Sequence, residues 1–191
     1  MLGSEVWVAI ILLVAAIAAA YFVFASFAFG AGYQPTPRAS VETMLRLAEL
    51  GPQDTLIDLG AGTGAIVFRA ARVYRARVLG VEVEPIRVLI LRLRRVLGPF
   101  SDRVTIRWGS FFGLDFRSAT VVTAFLWPGA MARLRPKFEA ELSDGARVVS
   151  HCHPIVGWNA SAFDPETKVY LYRWPEARPF AAEAPRLTGG G

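Results

Sequence analysis

Cysteine and histidine are scarce in this chain of 191 residues: there is one cysteine, Cys152, and two histidines, His151 and His153, all three adjacent. A single cysteine excludes an internal disulfide. Three consecutive candidate ligands at a strand end point to alternate faces, and no second ligand cluster completes a coordination sphere, so no metal site is expected. Lysine is rare as well, since 19 of the 21 basic residues are arginine. No Lys or Arg precedes Arg38, and no charge of either sign occurs between Val6 and Phe29. No internal repeat is present.

That uncharged run, "VWVAIILLVAAIAAAYFVFASFAF", accounts for much of a mean hydropathy of +0.37. Its 24 residues extend about 36 Å as a helix, enough to cross a hydrocarbon core. A cleaved signal peptide has a basic n-region and a shorter apolar stretch, and neither is found here. A buried soluble helix would keep some polar face. The reading is therefore an uncleaved single-span anchor over residues 6–29, in contact with a lipid bilayer. All basic residues follow the span, so the positive-inside rule puts the remainder on the cytoplasmic side. Without Glu5 the rest carries 21 basic and 15 acidic residues, 21 − 15 = +6. The arginines are spread over "FRAARVYRAR" and "RLRRV" as solvated helix faces rather than gathered in one run. Beside an anchor, attraction to anionic lipid explains the excess more simply than a nucleic-acid partner does.

Beyond the anchor, taken as residues 1–30, comes "GAGYQPTP", whose prolines cannot continue a helix; 31–39 form a juxtamembrane linker. "RASVETMLRLAEL" has helical spacing, with Ser40 as N-cap and Gly51-Pro52 as the stop. Strand and helix then alternate. "TLIDL", "RVLGVEV", "RVTIRW", "ATVVTAFL" and "ARVVSHC" are five strands, with helices expected over 64–75, 85–97 and 129–142. Such alternation predicts an α/β fold with a parallel sheet covered on both faces. "KVYLYRW" adds an antiparallel strand or hairpin at the C-terminal end. The folded domain is expected over 40–175, and 176–191 as a flexible tail.

The stretch "TLIDLGAGTGAIVF" carries the chemistry. Gly60, Gly62 and Gly64 lie between a strand and a helix, where a bare backbone lets a ligand rest against N–H groups at a positive helix end. The spacing also satisfies the dinucleotide fingerprint, and Glu82, at the end of the second strand, suits a ribose diol in either case. Asp58 separates the two. A pyrophosphate gains nothing from a carboxylate just before the first glycine, whereas a cofactor with an ammonium and a sulfonium does.

"DLGAGTG" followed by "GVE" resembles the motif of class I S-adenosylmethionine (SAM) methyltransferases. The resemblance extends through "YQPTP", "ATVVTAFL" and "LRPKFEAELSDGARVVSHCHPIVGWN". Over about residues 33–174 it is similar to the small archaeal protein-lysine methyltransferases and their membrane-anchored mitochondrial relatives, including the ATP synthase c-subunit lysine methyltransferase. It implies a Rossmann-like class I sheet, SAM as cofactor and a membrane-associated protein substrate with a target lysine. It also implies that Asp58 and the glycine loop face the methionine end, Glu82 the ribose, and Tyr33 and Thr36 the methionyl part. Ser110 and Phe111 in "GSFF" would meet the adenine. Phe125, Trp127 and His151 would border the lysine, with His151 as the one helper for proton loss. Departures are Thr63-Gly64-Ala65 where Asp-Gly-Arg is usual, Ser110 in place of Asp or Asn, and the His151-Cys152-His153 run. Alternative readings are an RNA or small-molecule methyltransferase, although "AFLWPG" lacks an Asn-Pro-Pro-Tyr type motif, and a non-catalytic SAM or nucleotide sensor. Plainer roles for the same residues are core packing for Phe125 and Trp127 and a loop hydrogen bond for His151.

Overall fold

The five apolar runs form adjacent parallel strands in a computed structural model that describes residues 3–28, 34–99 and 102–178. They are β1 (Thr55–Leu59), β2 (Arg77–Glu82), β3 (Val104–Trp108), β4 (Val121–Ala124) and β5 (Arg147–His151). β6 (Ala162–Asp164) and β7 (Val169–Arg173) complete a seven-stranded sheet in the order β3-β2-β1-β4-β5-β7-β6. β7 runs antiparallel to β5 and to β6. The C-terminal addition is therefore a hairpin, whose short first strand has too few apolar residues to be read from sequence.

Alternation along each strand divides the core in two. Leu56, Val78, Val104, Val121 and Val149 pack under the helices α2 (Arg38–Leu47), α3 (Ala65–Arg69) and α4 (Pro85–Leu97). Ile57, Leu59, Val81, Val122 and Val148 face Met131, Leu134 and Phe138 of α5 (Pro128–Glu141). Strands covered on both faces are buried on both faces, so they read as continuous apolar runs.

Some boundaries move. α2 begins at Arg38, because Pro37 at φ −57°, ψ 147° enters the helix directly; Ser40 is buried inside the helix rather than capping it. α2 ends at Leu47, and Glu49 takes a positive φ of 48°. The helix expected over 64–75 starts at Ala65, because Gly64 at φ +90° is a left-handed cap, and continues past α3 as a π-helical turn, Ala70–Tyr74. Ala177 is buried in the α5 side of the core, so packing continues past 175; residues 179–191 of the expected tail lie outside the described residues. So do 29–33, which include Tyr33. The run before them is helix α1 (Ser4–Ala28), whose stretch Ser4–Tyr21 is by length and composition able to cross a membrane, with its large apolar side chains exposed.

Strand order reverses between β1 and β4: β2 and β3 extend the sheet to one side, β4 and β5 to the other. In open α/β sheets the crevice at the carboxyl ends of such a pair is where ligands bind. Asp58 in β1 and Phe125, just beyond β4, are at those ends.

Candidate functional site

Asp58 stands opposite Thr123 in the β1–β4 register, and Thr123 Oγ1 donates to Asp58 Oδ1 at 2.8 Å. The carboxyl is buried, 3% exposed. Burial, reinforced by the Glu82 charge and only partly offset by the Thr123 hydrogen bond, pushes its pKa up to about 7. A carboxylate so placed has no ion-pair partner among the described residues and favours a ligand that brings a cation.

After Leu59 the chain turns back over the strand end. Gly60 N and Ala61 N donate to Val81 O at 3.0 and 2.9 Å, and Gly60 and Gly62 have φ of 75° and 56°, a region that favours glycine. Gly64 has a packing reason of its own. A Cβ there would lie 2.4 Å from the Phe68 ring and 2.7 Å from Leu91 Cδ2.

Glu82 holds this loop to the end of β2. Its Oε2 accepts from Gly62 N at 2.8 Å, and its Oε1 accepts from Val83 N and Glu84 N, each at 3.0 Å. A carboxylate has about four lone-pair positions, so three backbone bonds leave about one for a ligand hydroxyl. Glu84 caps α4, accepting from Ile86 N at 2.9 Å and Arg87 N at 2.8 Å, with Pro85 as first helical residue. Arg87 is buried with Nη1 4.0 Å from Glu82 Oε1 and Nε 3.9 Å from Glu84 Oε2. The sequence reading missed both residues. "EP" before an apolar-periodic run is a legible cap signal; nothing local marks Arg87 as buried.

These groups line one cavity. Thr36, Asp58, Gly60, Gly62, Glu82, Phe111 and Phe125 from the sequence reading meet there, with Gln34, Glu84 and Arg87 added. Ser110 is outside that lining and caps the single 3-10 turn Phe111–Gly113, its Oγ accepting from Phe112 N at 3.3 Å. Gly64 is also outside, behind the loop.

A second cavity shares Gln34, Pro35 and Phe125 with the first and adds Ser40, His151, Cys152, Glu166, Thr167 and Lys168. Phe125 is thus the wall between the two. The His151 ring meets it edge-on, with centroids 4.3 Å apart. Burial holds the His151 imidazole below its ordinary pKa, so it is neutral at pH 7. The His-Cys-His run is a tight turn: His153 N donates to His151 O at 2.8 Å, and Cys152 takes φ 63°. His151 points inward, while His153 stacks on Trp127 with centroids 6.0 Å apart. Trp127 is 53% exposed and lines neither cavity.

Comparison with known proteins points to methyltransferases throughout. A family model described as "ANTKMT methyltransferase domain" matches residues 58–162. A protein-lysine N-methyltransferase of Saccharolobus islandicus is 40% identical over 130 residues, covering 66% of this chain and 80% of that protein. The adenine nucleotide translocase lysine N-methyltransferase of Mus musculus is 33% identical over 122 residues, and this chain spans 53% of its length. Among solved structures, an RNA methyltransferase from Salinibacter ruber in complex with S-adenosyl-L-homocysteine superposes with a TM-score of 0.73 at 38% identity, covering 79% of this chain and 100% of that one.

Proposed function

The chain belongs to the ANTKMT methyltransferase domain family and is a SAM-dependent methyltransferase, and from that premise we propose that it methylates lysine side chains of proteins at a membrane to which α1 anchors it. The observation that carries this reading is the wall at Phe125: a cofactor cavity on one side, a separate opening to the surface on the other.

The residues present fit SAM. Asp58 is a buried carboxylate in want of a cation, Glu82 keeps a lone pair for a ribose hydroxyl, and the glycine loop leaves main chain open beside both. In this reading Asp58 holds the methionyl ammonium, Glu82 the ribose and Phe111 a face of the adenine, with Thr36 closing over the methionyl part. Bound there, SAM supplies an electrophilic methyl group on a sulfonium.

The acceptor side has two tasks. A lysine arrives protonated, with an ordinary pKa near 10.4, and must present a neutral amine. Aromatic Phe125 attracts the ammonium as it enters, and Glu166 at the same cavity adds an opposite charge. Deeper in, withdrawal from water disfavours the charged form and releases the proton. The proton leaves to water or to the neutral imidazole of His151, which lies against Phe125. The remaining contribution is orientation, holding nitrogen in line with the methyl carbon.

The Salinibacter ruber structure favours a second reading, RNA as acceptor. Against it, Lys168 is the one cation that the described residues give the second cavity, and Glu166 beside it opposes a phosphate. The full chain in detergent micelles, incubated with tritiated SAM and purified membranes, tests both. Label on lysine in a protein band that survives RNase supports the proposal; label confined to RNA or lipid overturns it.

A further inference from the structure

We propose that the outer face of α4 is a membrane-docking surface, which seats the catalytic domain on the interface of an anionic bilayer. The proposal rests on the reading of α1 as a membrane span. Ile86, Leu89, Leu93, Val96 and Leu97 are between 40% and 84% exposed. At 100° per residue they share, with Ile90, an arc of about 120° that contains no polar residue. The core-facing side of the same helix is Arg87, Val88 and Leu91. A soluble helix turns its apolar arc inward; here that arc points into solvent. Exposed Trp108, whose Nε1 donates to Val83 O at 3.0 Å, extends the patch near the start of the helix.

Charge selects the occupant. Arg92 and Arg94 lie at the two margins of the apolar arc, and α4 contains no acidic residue. Past Arg94 the surface continues as a groove lined by Arg38, Arg69 and Arg72, with Glu42 as its one acid. Apolar centre, arginine margins and an indole are the composition of an interfacial amphipathic helix on anionic lipid. The chain also puts the surface within reach. Nine residues, 29–37, separate the end of α1 from Arg38, at most about 35 Å of extended chain. A protein partner or a second copy would be served by the apolar arc, but neither accounts for the arginine margins beside a membrane anchor.

The test uses the full chain in lipid nanodiscs, with the photo-crosslinker p-benzoylphenylalanine replacing one residue at a time. The positions are Leu93 on α4, Leu12 in α1, and exposed Phe163 on β6 at the opposite sheet edge. Phospholipid adducts are expected at positions 12 and 93 and not at 163. The yield at 93 should rise several-fold when phosphatidylglycerol replaces part of the phosphatidylcholine. No adduct at 93 while 12 is labelled overturns the docking surface alone, as does equal labelling at 93 and 163. An adduct between two chains at 93 makes the face a self-association surface and also overturns it. No adduct at 12 removes the anchor on which the proposal rests.

Discussion

The two sides of Phe125 are built differently. On the cofactor side, every carboxylate has an assignment before any ligand arrives: Glu82 fastens the glycine loop, Glu84 caps α4, and Thr123 donates to Asp58. On the side of the second cavity ring meets ring, Phe125 with His151 and Trp127 with His153, and one backbone bond, Cys152 N to Lys168 O at 2.8 Å, reaches the turn before β7 that supplies Glu166 and Lys168. Under the proposed function the cofactor side receives one molecule of constant shape, which a hydrogen-bonded cradle suits. Under the same function a lysine arrives with whatever surface surrounds it, and Phe125 would demand only a long, thin, cationic side chain.

Perturbing each side should have separable effects. The largest belongs to the cradle's packing. Gly64→Ala places a methyl group against Phe68 and Leu91 at a positive φ, and should cost about 2–4 kcal/mol of stability. Denaturant unfolding reads it directly, and a change below half a kcal/mol would show the loop to be looser than its contacts indicate.

Phe125→Ala should lower turnover about 10²-fold by misplacing the acceptor, while SAM affinity changes only a few-fold. A parallel loss of both would merge the two sides into one. Trp127→Ala, by contrast, removes an exposed ring that lines neither cavity, so turnover should fall only a few-fold.

Glu82→Ala should weaken SAM binding by about one to two orders of magnitude, the worth of a charged acceptor facing hydroxyls. Calorimetric titration with unchanged affinity would leave Glu82 as a loop fastener alone.

The smallest designed effect is on pH. Asp58, with a pKa near 7 before the cofactor binds, is largely protonated at pH 6, and the incoming ammonium must displace that proton. SAM affinity should therefore be about tenfold weaker at pH 6 than at pH 8, with a proton released on binding at the lower pH. Asp58→Asn should flatten the profile, and an unchanged slope in that variant would assign the titration to another group.

Legibility in the sequence follows the same division. Asp58, the glycines and Glu82 lie within 25 residues of one another and occupy one strand–loop–helix–strand unit, so spacing alone brought them together. The second cavity gathers Gln34, Ser40, Phe125, His151 and Glu166 from four separate stretches. Only the sheet order, with β4 beside β1 and β5 beside β4, makes them neighbours. The resemblance sets Trp127 beside Phe125; in the structure Trp127 is the N-cap residue of α5, and its exposed ring stacks on His153. Ser110 stands one residue from the cavity-lining Phe111 for a similar local reason, since its hydroxyl caps a turn.

The amino-acid sequence by itself determined the element order, the glycine loop between Asp58 and Glu82, and the presence of an apolar N-terminal run, because hydrophobic period, glycine spacing and the position of one aspartate are local properties. It also determined that α4 is amphipathic. Which side of α4 is the inside was decided by the tertiary structure alone. A helical period specifies two faces without saying what covers either, and here the sheet and the Glu82–Glu84 pair take the face carrying Arg87, Val88 and Leu91, leaving the leucine face outward.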